Sequence, residues 1–334
     1  MAEAGERALV LERPHELHLR TLPSRPPVAG EVLVRPQFVG LCGTDLHIAA
    51  GEHPRARMPL VLGHEIVGVA ADGRWAGQLV VVDPTIACGA CIACLRGDEH
   101  VCQQLRLIGI DRDGGLGCGV SVGESKLHPV PAAVPAITAA LAEPLAVAVH
   151  AASRAGPYLG ATVVILGAGP IGLLIALVVR AAGAHQIVLA EPVATRRESA
   201  RKLGFDVVPE PDMLPSALDG DPADIVFDAA AAPATARHAT RLVRPRGTIV
   251  VAGVFGHPAA FDLQSVTFAE LNVVGTRVYR PHDLSTALRL LASGSVDVTG
   301  LITDVVELQD VPDALLRLSR GQALKVLVRC DSQA

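Results

Sequence analysis

The chain has 334 residues, half of them hydrophobic, a length that exceeds one ordinary core and points to about two domains. That apolar content excludes general disorder, and its aromatic residues (Phe 6, Tyr 2, Trp 1) are too few for a stacking surface that binds single-stranded nucleic acid. A net charge of −5 argues against any binder of phosphate backbones, so no nucleic-acid partner is expected.

Met1–Gly5 carries Glu3 and lacks a basic start followed by an apolar run, so no secretory signal is expected and the cytoplasm is the expected compartment. The first ~145 residues read as short strands punctuated by Gly and Pro, among them 32–35 and 79–82, with poor helical periodicity. From about Ala146 the texture changes. Strand-like runs at 162–166, 186–190, 223–227, 247–252 and 273–275 alternate with helix-like runs at 171–182, 194–203, 234–243 and 284–292. This alternation predicts an α/β doubly wound parallel sheet. The uncharged run 155–179 is long enough to cross a bilayer. Gly156-Pro157, Gly160, Gly167, Gly169-Pro170 and Gly172 interrupt it, so it reads as a buried strand and helix, and no membrane partner is expected. The chain ends in a strand-like run at 325–328. Three lysines (Lys126, Lys202, Lys325) stand against 26 arginines, the pattern of a GC-rich coding sequence, which leaves few amines for Schiff-base chemistry.

Three constellations carry chemistry. Gly167, Gly169, Pro170, Ile171 and Gly172 fall within a G-x-G-x-x-G run between a predicted strand and an apolar helix, the setting that makes this weak motif informative. The first glycine permits the tight turn, the second lets a pyrophosphate approach the backbone, and the third lets helix and strand pack closely. Glu191 lies 19 residues after Gly172, where a carboxylate accepts from the ribose 2′-hydroxyl and repels a 2′-phosphate. NAD is therefore favoured over NADP, although Arg196 and Arg197 follow and an arginine there can hold a 2′-phosphate.

Cys88, Cys91, Cys94 and Cys102 give C-x2-C-x2-C-x7-C, four thiolates that can close a tetrahedron around one structural zinc. The opening spacing is ferredoxin-like, but the x7 gap and the missing Cys-Pro argue against an iron–sulfur cluster, and the missing export signal argues against disulfides. The third group is Cys42, His64, Glu65 and Glu143: one thiolate, one imidazole and one or two carboxylates, a mixed set that can hold zinc with an open position. Singly, each of these residues is unremarkable, and the argument rests on their order. Cys118 and Cys330 have no assigned role.

That order is 40–47 (Gly-Leu-Cys-Gly-Thr-Asp-Leu-His), 63–65 (Gly-His-Glu), the cysteines of 88–102, 143–147 (Glu-Pro-Leu-Ala-Val), 167–172 and the acidic strand end at 191. It resembles the zinc-dependent medium-chain dehydrogenase/reductase (alcohol dehydrogenase) family over essentially the whole chain, most of all its sorbitol (polyol) and threonine dehydrogenase branch. The resemblance implies a GroES-like β-barrel catalytic domain (1–145, with a structural zinc lobe at 86–104) and a Rossmann NAD-binding domain (146–284). It further implies a C-terminal return to the barrel (285–334), an active site in the cleft between the two, and a homodimer or homotetramer.

It implies two zinc ions per chain, one structural and one catalytic, the latter on Cys42, His64 and Glu65 or Glu143. Thr44 matches the hydroxyl that starts the proton relay, His47 the histidine that passes the proton to solvent, and Asp45 the carboxylate that orients the ligand histidine. The implied reaction is hydride transfer between a secondary alcohol (polyol, sugar, cyclitol or amino alcohol) or its ketone and NAD. The alternatives are a biosynthetic carbonyl reductase using NAD(P)H and, more remotely, an inactive cofactor-binding protein. The chain departs from the family in a short 68–80 hairpin, in Gly-Gly-Leu-Gly-Cys-Gly at 114–119 where relatives carry an aromatic and a carboxylate near the cleft, and in 48–51, which lacks aromatics. Arg55, Arg57, Arg277 and Arg280 are candidates for an anionic substrate group or the cofactor pyrophosphate.

Overall fold

A computed structural model describes residues 6–23 and 26–330, so the Met1–Gly5 stretch lies outside it. The chain divides into two units. The first comprises the described residues up to Glu143, Arg280–Ser293 and the described residues from Ile302 on; the second is Pro144–Tyr279 with Gly294–Leu301. Where the sequence suggested breaks after 145 and 284, the packing changes hands after Glu143 and Tyr279, and eight residues after the Pro281–Ala292 helix and its Ser293 cap rejoin the second unit.

In the first unit β1 (Glu6–Arg13) and β2 (Glu16–Leu22) form a hairpin. β3 (Glu31–Gly40), β4 (Leu60–Val61), β5 (Glu65–Ala70), β6 (Leu79–Val82), β7 (Thr85–Ile86), β8 (Arg106–Leu107), β9 (Val120–Gly123) and β10 (Leu127–Pro129) follow. β10, β6, β5 and β3 pair antiparallel in that order, and β9 also pairs with β3. The expected short hairpin is present: only a 3₁₀ turn, Gly73–Trp75, lies between β5 and β6.

In the second unit β11 (Thr162–Leu166), β12 (Gln186–Ala190), β13 (Asp206–Val208), β14 (Ala223–Asp228), β15 (Val243–Val251) and β16 (Asn272–Gly275) form one parallel sheet, ordered β13-β12-β11-β14-β15-β16. Helices Pro170–Ala181, Ala194–Lys202 and Pro233–Leu242 connect its strands. This is the doubly wound sheet expected from the alternation. The inner strands are continuous apolar runs because both faces are covered, and Val163, Val164, Ile165 and Leu166 are fully buried. The uncharged 155–179 run resolves into a turn, β11, the glycine turn and most of a helix. Among the described residues no helix is long and apolar enough to cross a membrane.

The last two strands belong to the first unit: β18 (Lys325–Arg329) pairs antiparallel with β3, and β17 (Ile302–Glu307) pairs parallel with β18. β3 thus lies between β5 and β18. The chain leaves the end of β3 at Gly40, opposite Glu65, the first residue of β5. Antiparallel neighbours bring the exit of one strand beside the entry of the next, which is how Cys42 and His64 come to share one end of the sheet.

Candidate functional site

Beyond Gly40 the chain turns into the short helix Gly43–Ala49, with Cys42 at its N-cap. One donor atom from each of Cys42, His64 and Glu65 lies within 4.8 Å of the others. Glu143, in the first turn of helix Ala142–Ser153, is buried and lies outside that group of three, yet its charge reaches both His64 and Lys325. Asp45 is fully buried and accepts the Cys42 N–H through Oδ2 at 2.8 Å. Its Oδ1 faces His64 Nδ1 at 3.7 Å, and neither atom has a hydrogen-bond partner. The carboxylate therefore faces the Nδ1 side of the imidazole without a hydrogen bond, and Nε2 lies on the opposite side of the ring.

Burial alone would lower the His64 pKa, but the Asp45 carboxylate, Cys42 and Glu143 outweigh it and hold the imidazole well above its usual 6.5. A site that draws a proton onto a buried histidine is one whose surplus of anionic groups calls for a cation. A thiolate, an imidazole and carboxylate oxygens are also the donor set that zinc takes. The residues present fit a zinc ion.

One partner in this centre is invisible to sequence reasoning. Lys325, the first residue of β18, is fully buried, and its Nζ donates to the Leu41 carbonyl at 3.1 Å and to Glu65 Oε2. Thr44 Oγ1 is 3.8 Å from Cys42 Sγ. His47, three residues on and hence on the same helix face, is exposed, and its Nδ1 meets Glu52 Oε2 at 3.0 Å.

β7 and β8 pair at the base of the four-cysteine lobe. Its Sγ–Sγ separations are 3.5 Å (Cys91–Cys94) and 3.9 Å (Cys88–Cys94 and Cys91–Cys102). Zinc–sulfur bonds of about 2.3 Å give a tetrahedron with edges of about 3.8 Å, so the sulfurs already stand at zinc-binding spacing. No disulfide forms among the described residues. The backbone N–H groups of Cys88, Cys91 and Gln104 donate to these sulfurs at 3.3 Å. Backbone donors draw the Cys91 thiol down to about 6, whereas burial and its bonds to Cys91 and Cys102 push Cys94 up to about 12, as when four sulfurs share too few protons. Lys126 ties the base of the lobe by donating to Asp83 Oδ2 and Thr85 Oγ1, both at 3.0 Å.

In the second unit the strand order reverses between β11 and β14, and the glycine run starts at the carboxyl end of β11, where dinucleotides bind such sheets. Gly167 has φ +103°, a backbone only glycine adopts readily. A Cβ on Gly172 would collide with the Gly167 carbonyl, whereas a Cβ on Gly169 would meet nothing within 4 Å. Gly169 caps the helix Pro170–Ala181, with Pro170 in its first turn, where the absent N–H costs nothing. Open space over free helix N–H groups is what a pyrophosphate needs.

Glu191 follows β12 as expected, but its carboxylate is already engaged: Oε2 accepts the Ala168 N–H at 2.8 Å and Oε1 the Val193 N–H at 2.9 Å. It therefore also braces the glycine turn, and a ribose hydroxyl would share its remaining lone pairs. Arg196 is half-buried at the start of helix Ala194–Lys202, with no partner on Nε. Arg197 instead donates back to the Glu191 and Pro192 carbonyls.

Three of the candidate anion-binding arginines are committed elsewhere. Arg55 donates to the Leu105 carbonyl and pairs with Asp111, Arg57 donates to the Pro54 and Ala56 carbonyls, and Arg280 pairs with Asp98 at 3.0 Å. The 114–119 segment packs against the core through Leu116. Leu116 is fully buried and hydrogen-bonded to the Leu62 carbonyl, so that segment fills the core beside Gly63.

Residues 28–132 match the family model described as the alcohol dehydrogenase GroES-like domain, and residues 170–293 match that of zinc-binding dehydrogenases. The chain is 37% identical over 320 residues, 92% of its length and 94% of the relative's, to the 2-dehydro-3-deoxy-L-galactonate 5-dehydrogenase of Pseudoalteromonas atlantica. Among solved structures it is similar to the NADH complex of the alcohol dehydrogenase rspB of Escherichia coli CFT073, with a TM-score of 0.90 and 29% identity over 98% of this chain and 99% of that one. It is also similar to a zinc-binding dehydrogenase of Sinorhizobium meliloti 1021 bound to NADP, with a TM-score of 0.89 and 31% identity over 97% and 99%.

Proposed function

The chain belongs to the zinc-type medium-chain alcohol dehydrogenase family and is an NAD(P)-dependent oxidoreductase of secondary alcohols, and on that premise we propose that it oxidises a polyol, sugar, sugar-acid, cyclitol or amino-alcohol hydroxyl with NAD. The observation that carries this reading is the convergence of Cys42, His64 and Glu65 at one end of the barrel sheet, with Glu143 buried close by. In this reading those residues hold a catalytic zinc, Glu143 directly or through water, and Cys88, Cys91, Cys94 and Cys102 hold a structural one. When bound, zinc supplies Lewis acidity that lowers the pKa of an alcohol, and nicotinamide supplies the hydride acceptor.

The protein's own groups handle the proton and the geometry. Asp45 fixes the His64 ring so that Nε2 is presented as a ligand. Thr44 receives the substrate hydroxyl proton on Oγ1 and relays it, and exposed His47, whose Nδ1 meets Glu52 Oε2, delivers it to solvent. Reduced thiols in a four-sulfur cluster suit the cytoplasm. The test is NADH formation from a panel of such alcohols before and after exhaustive chelation. Activity is expected to vanish without metal and to return with zinc; turnover that survives complete metal removal sinks the reading. The same assay with NADP is expected to favour NAD at least ~10-fold, because the buried Glu191 carboxylate disfavours a 2′-phosphate; equal rates would withdraw that role.

We propose further that the protein is a homo-oligomer paired through the β16 edge. Among the described residues the outer edge of β16 has no partner strand, and Val254, Leu263, Phe268 and Val273 in and near it are exposed at 94, 71, 80 and 41%. Phe268→Asp is expected to reduce the mass measured by light scattering to that of a smaller assembly; an unchanged mass places the interface elsewhere.

A further inference from the structure

We propose that Lys325 sets the denticity of Glu65 at the metal centre: it holds one carboxylate oxygen, leaves the other for the metal, and so keeps a coordination position open for the substrate oxygen. The proposal rests on the metal-centre reading above. The two side chains are each 2% exposed, so this is a buried ion pair in which neither charge has access to water. Such a pair is kept at a cost in desolvation, so its presence is weak evidence for a purely stabilising role.

The seat of the held oxygen is built from three sides. Lys325 Nζ donates to Glu65 Oε2 and to the Leu41 carbonyl, so the ammonium is itself pinned to the backbone next to Cys42. The Leu41 N–H donates to the Val326 carbonyl at 2.9 Å, which locks β18 to that same turn. Gly40, opposite Glu65 in the sheet, has no Cβ where Glu65 Oε2 lies; a side chain there would collide with it. Together these contacts fix Oε2 and leave Oε1 as the oxygen available to a metal.

The choice of cation supports the same role. With 26 arginines to three lysines, this chain puts a lysine at the most enclosed cationic position among the described residues. A guanidinium presents a planar fork that takes both oxygens of a carboxylate, whereas an ammonium is a point donor that can take one. Only the second leaves Glu65 able to ligate.

Two variants test this, read with cobalt in place of catalytic zinc and by metal content per chain. Lys325→Met frees both oxygens of Glu65, and the visible cobalt bands are expected to weaken as the centre gains a fifth ligand. Lys325→Arg keeps the charge but occupies both oxygens, so the centre is expected to bind metal at least tenfold more weakly. Mild chelation should then leave one zinc per chain, on the four cysteines. That retained zinc also reports that the first unit is folded. If Lys325→Met does not fold, Lys325→Arg decides alone. Wild-type spectrum and metal affinity in the variants overturn the assignment. A wild-type chain that takes up metal only at the four cysteines sinks the centre itself, and the assignment with it.

Discussion

Cys42→Ser is expected to lower kcat/KM at least ~1000-fold, about 4 kcal/mol of transition-state stabilisation, while the protein remains folded. The reason is local. Serine can still offer its backbone N–H to Asp45 Oδ2, so the N-cap that starts the Gly43–Ala49 helix survives, as does the Asp45–His64 arrangement. What disappears is the thiolate. A serine hydroxyl is a far poorer ligand, and His64 and a Glu65 shared with Lys325 make a weak site without it. Metal analysis should then find about one zinc per chain, held by the four cysteines, and circular dichroism should match the wild type. Cys118→Ser is the control: Cys118 belongs to no group of candidate metal ligands, so its variant should keep both zinc ions and full activity. A Cys42→Ser enzyme within tenfold of wild type would remove Cys42 from the centre.

The two metal groups differ in how they can be read from sequence. The four-cysteine lobe is legible because all its donors fall within one short loop, and their spacing is the signal. The second group is legible only as an ordered series, because Cys42 and His64 meet through the antiparallel pairing of β3 with β5, and spacing does not express that pairing. Lys325 lies beyond any such reading. It is 260 residues from Glu65, and a lone lysine opening an apolar strand looks like a solvated strand end; only the insertion of β18 beside β3 buries it. Its sole sequence signal is the rarity of lysine in the chain.

Elements followed the same logic. The parallel sheet announces itself through its apolar runs, and five of its six strands fall where expected to within a few residues; β13, only three residues long and partly exposed, is too short to show a run. Helix Ala142–Ser153 starts before the expected change of texture at Ala146, with Pro144 in its first turn, where proline is tolerated. β17 carries no apolar run, since its residues alternate between half-buried and exposed at the border of the sheet. Glu191 follows β12, but sequence does not show that Ala168 and Val193 occupy its oxygens, because those contacts depend on how the glycine turn and the β12 exit face each other.

The glycine turn separates folding from cofactor binding within six residues. Gly172→Ala is expected to destabilise the second unit by about 1–3 kcal/mol, because the added methyl strikes the Gly167 carbonyl, a backbone atom that cannot swing aside as a flexible side chain could. The ~1 kcal/mol that alanine normally gains over glycine inside a helix is too small to offset that collision. Helix Pro170–Ala181 would have to shift away from β11, and its N-terminus would move with it. Gly169→Ala is expected to do the reverse. Its φ of −70° and ψ of 178° suit any residue, and a methyl there meets no protein atom, so the melting temperature should stay at the wild-type value. The methyl would instead occupy the space a pyrophosphate needs, raising the KM for NAD at least ~10-fold, a loss of about 1.4 kcal/mol in binding. Calorimetry and NAD titration of the two variants read the two effects independently. If Gly169→Ala binds NAD like the wild type, the pyrophosphate does not lie over this turn, whatever Gly172→Ala does to stability.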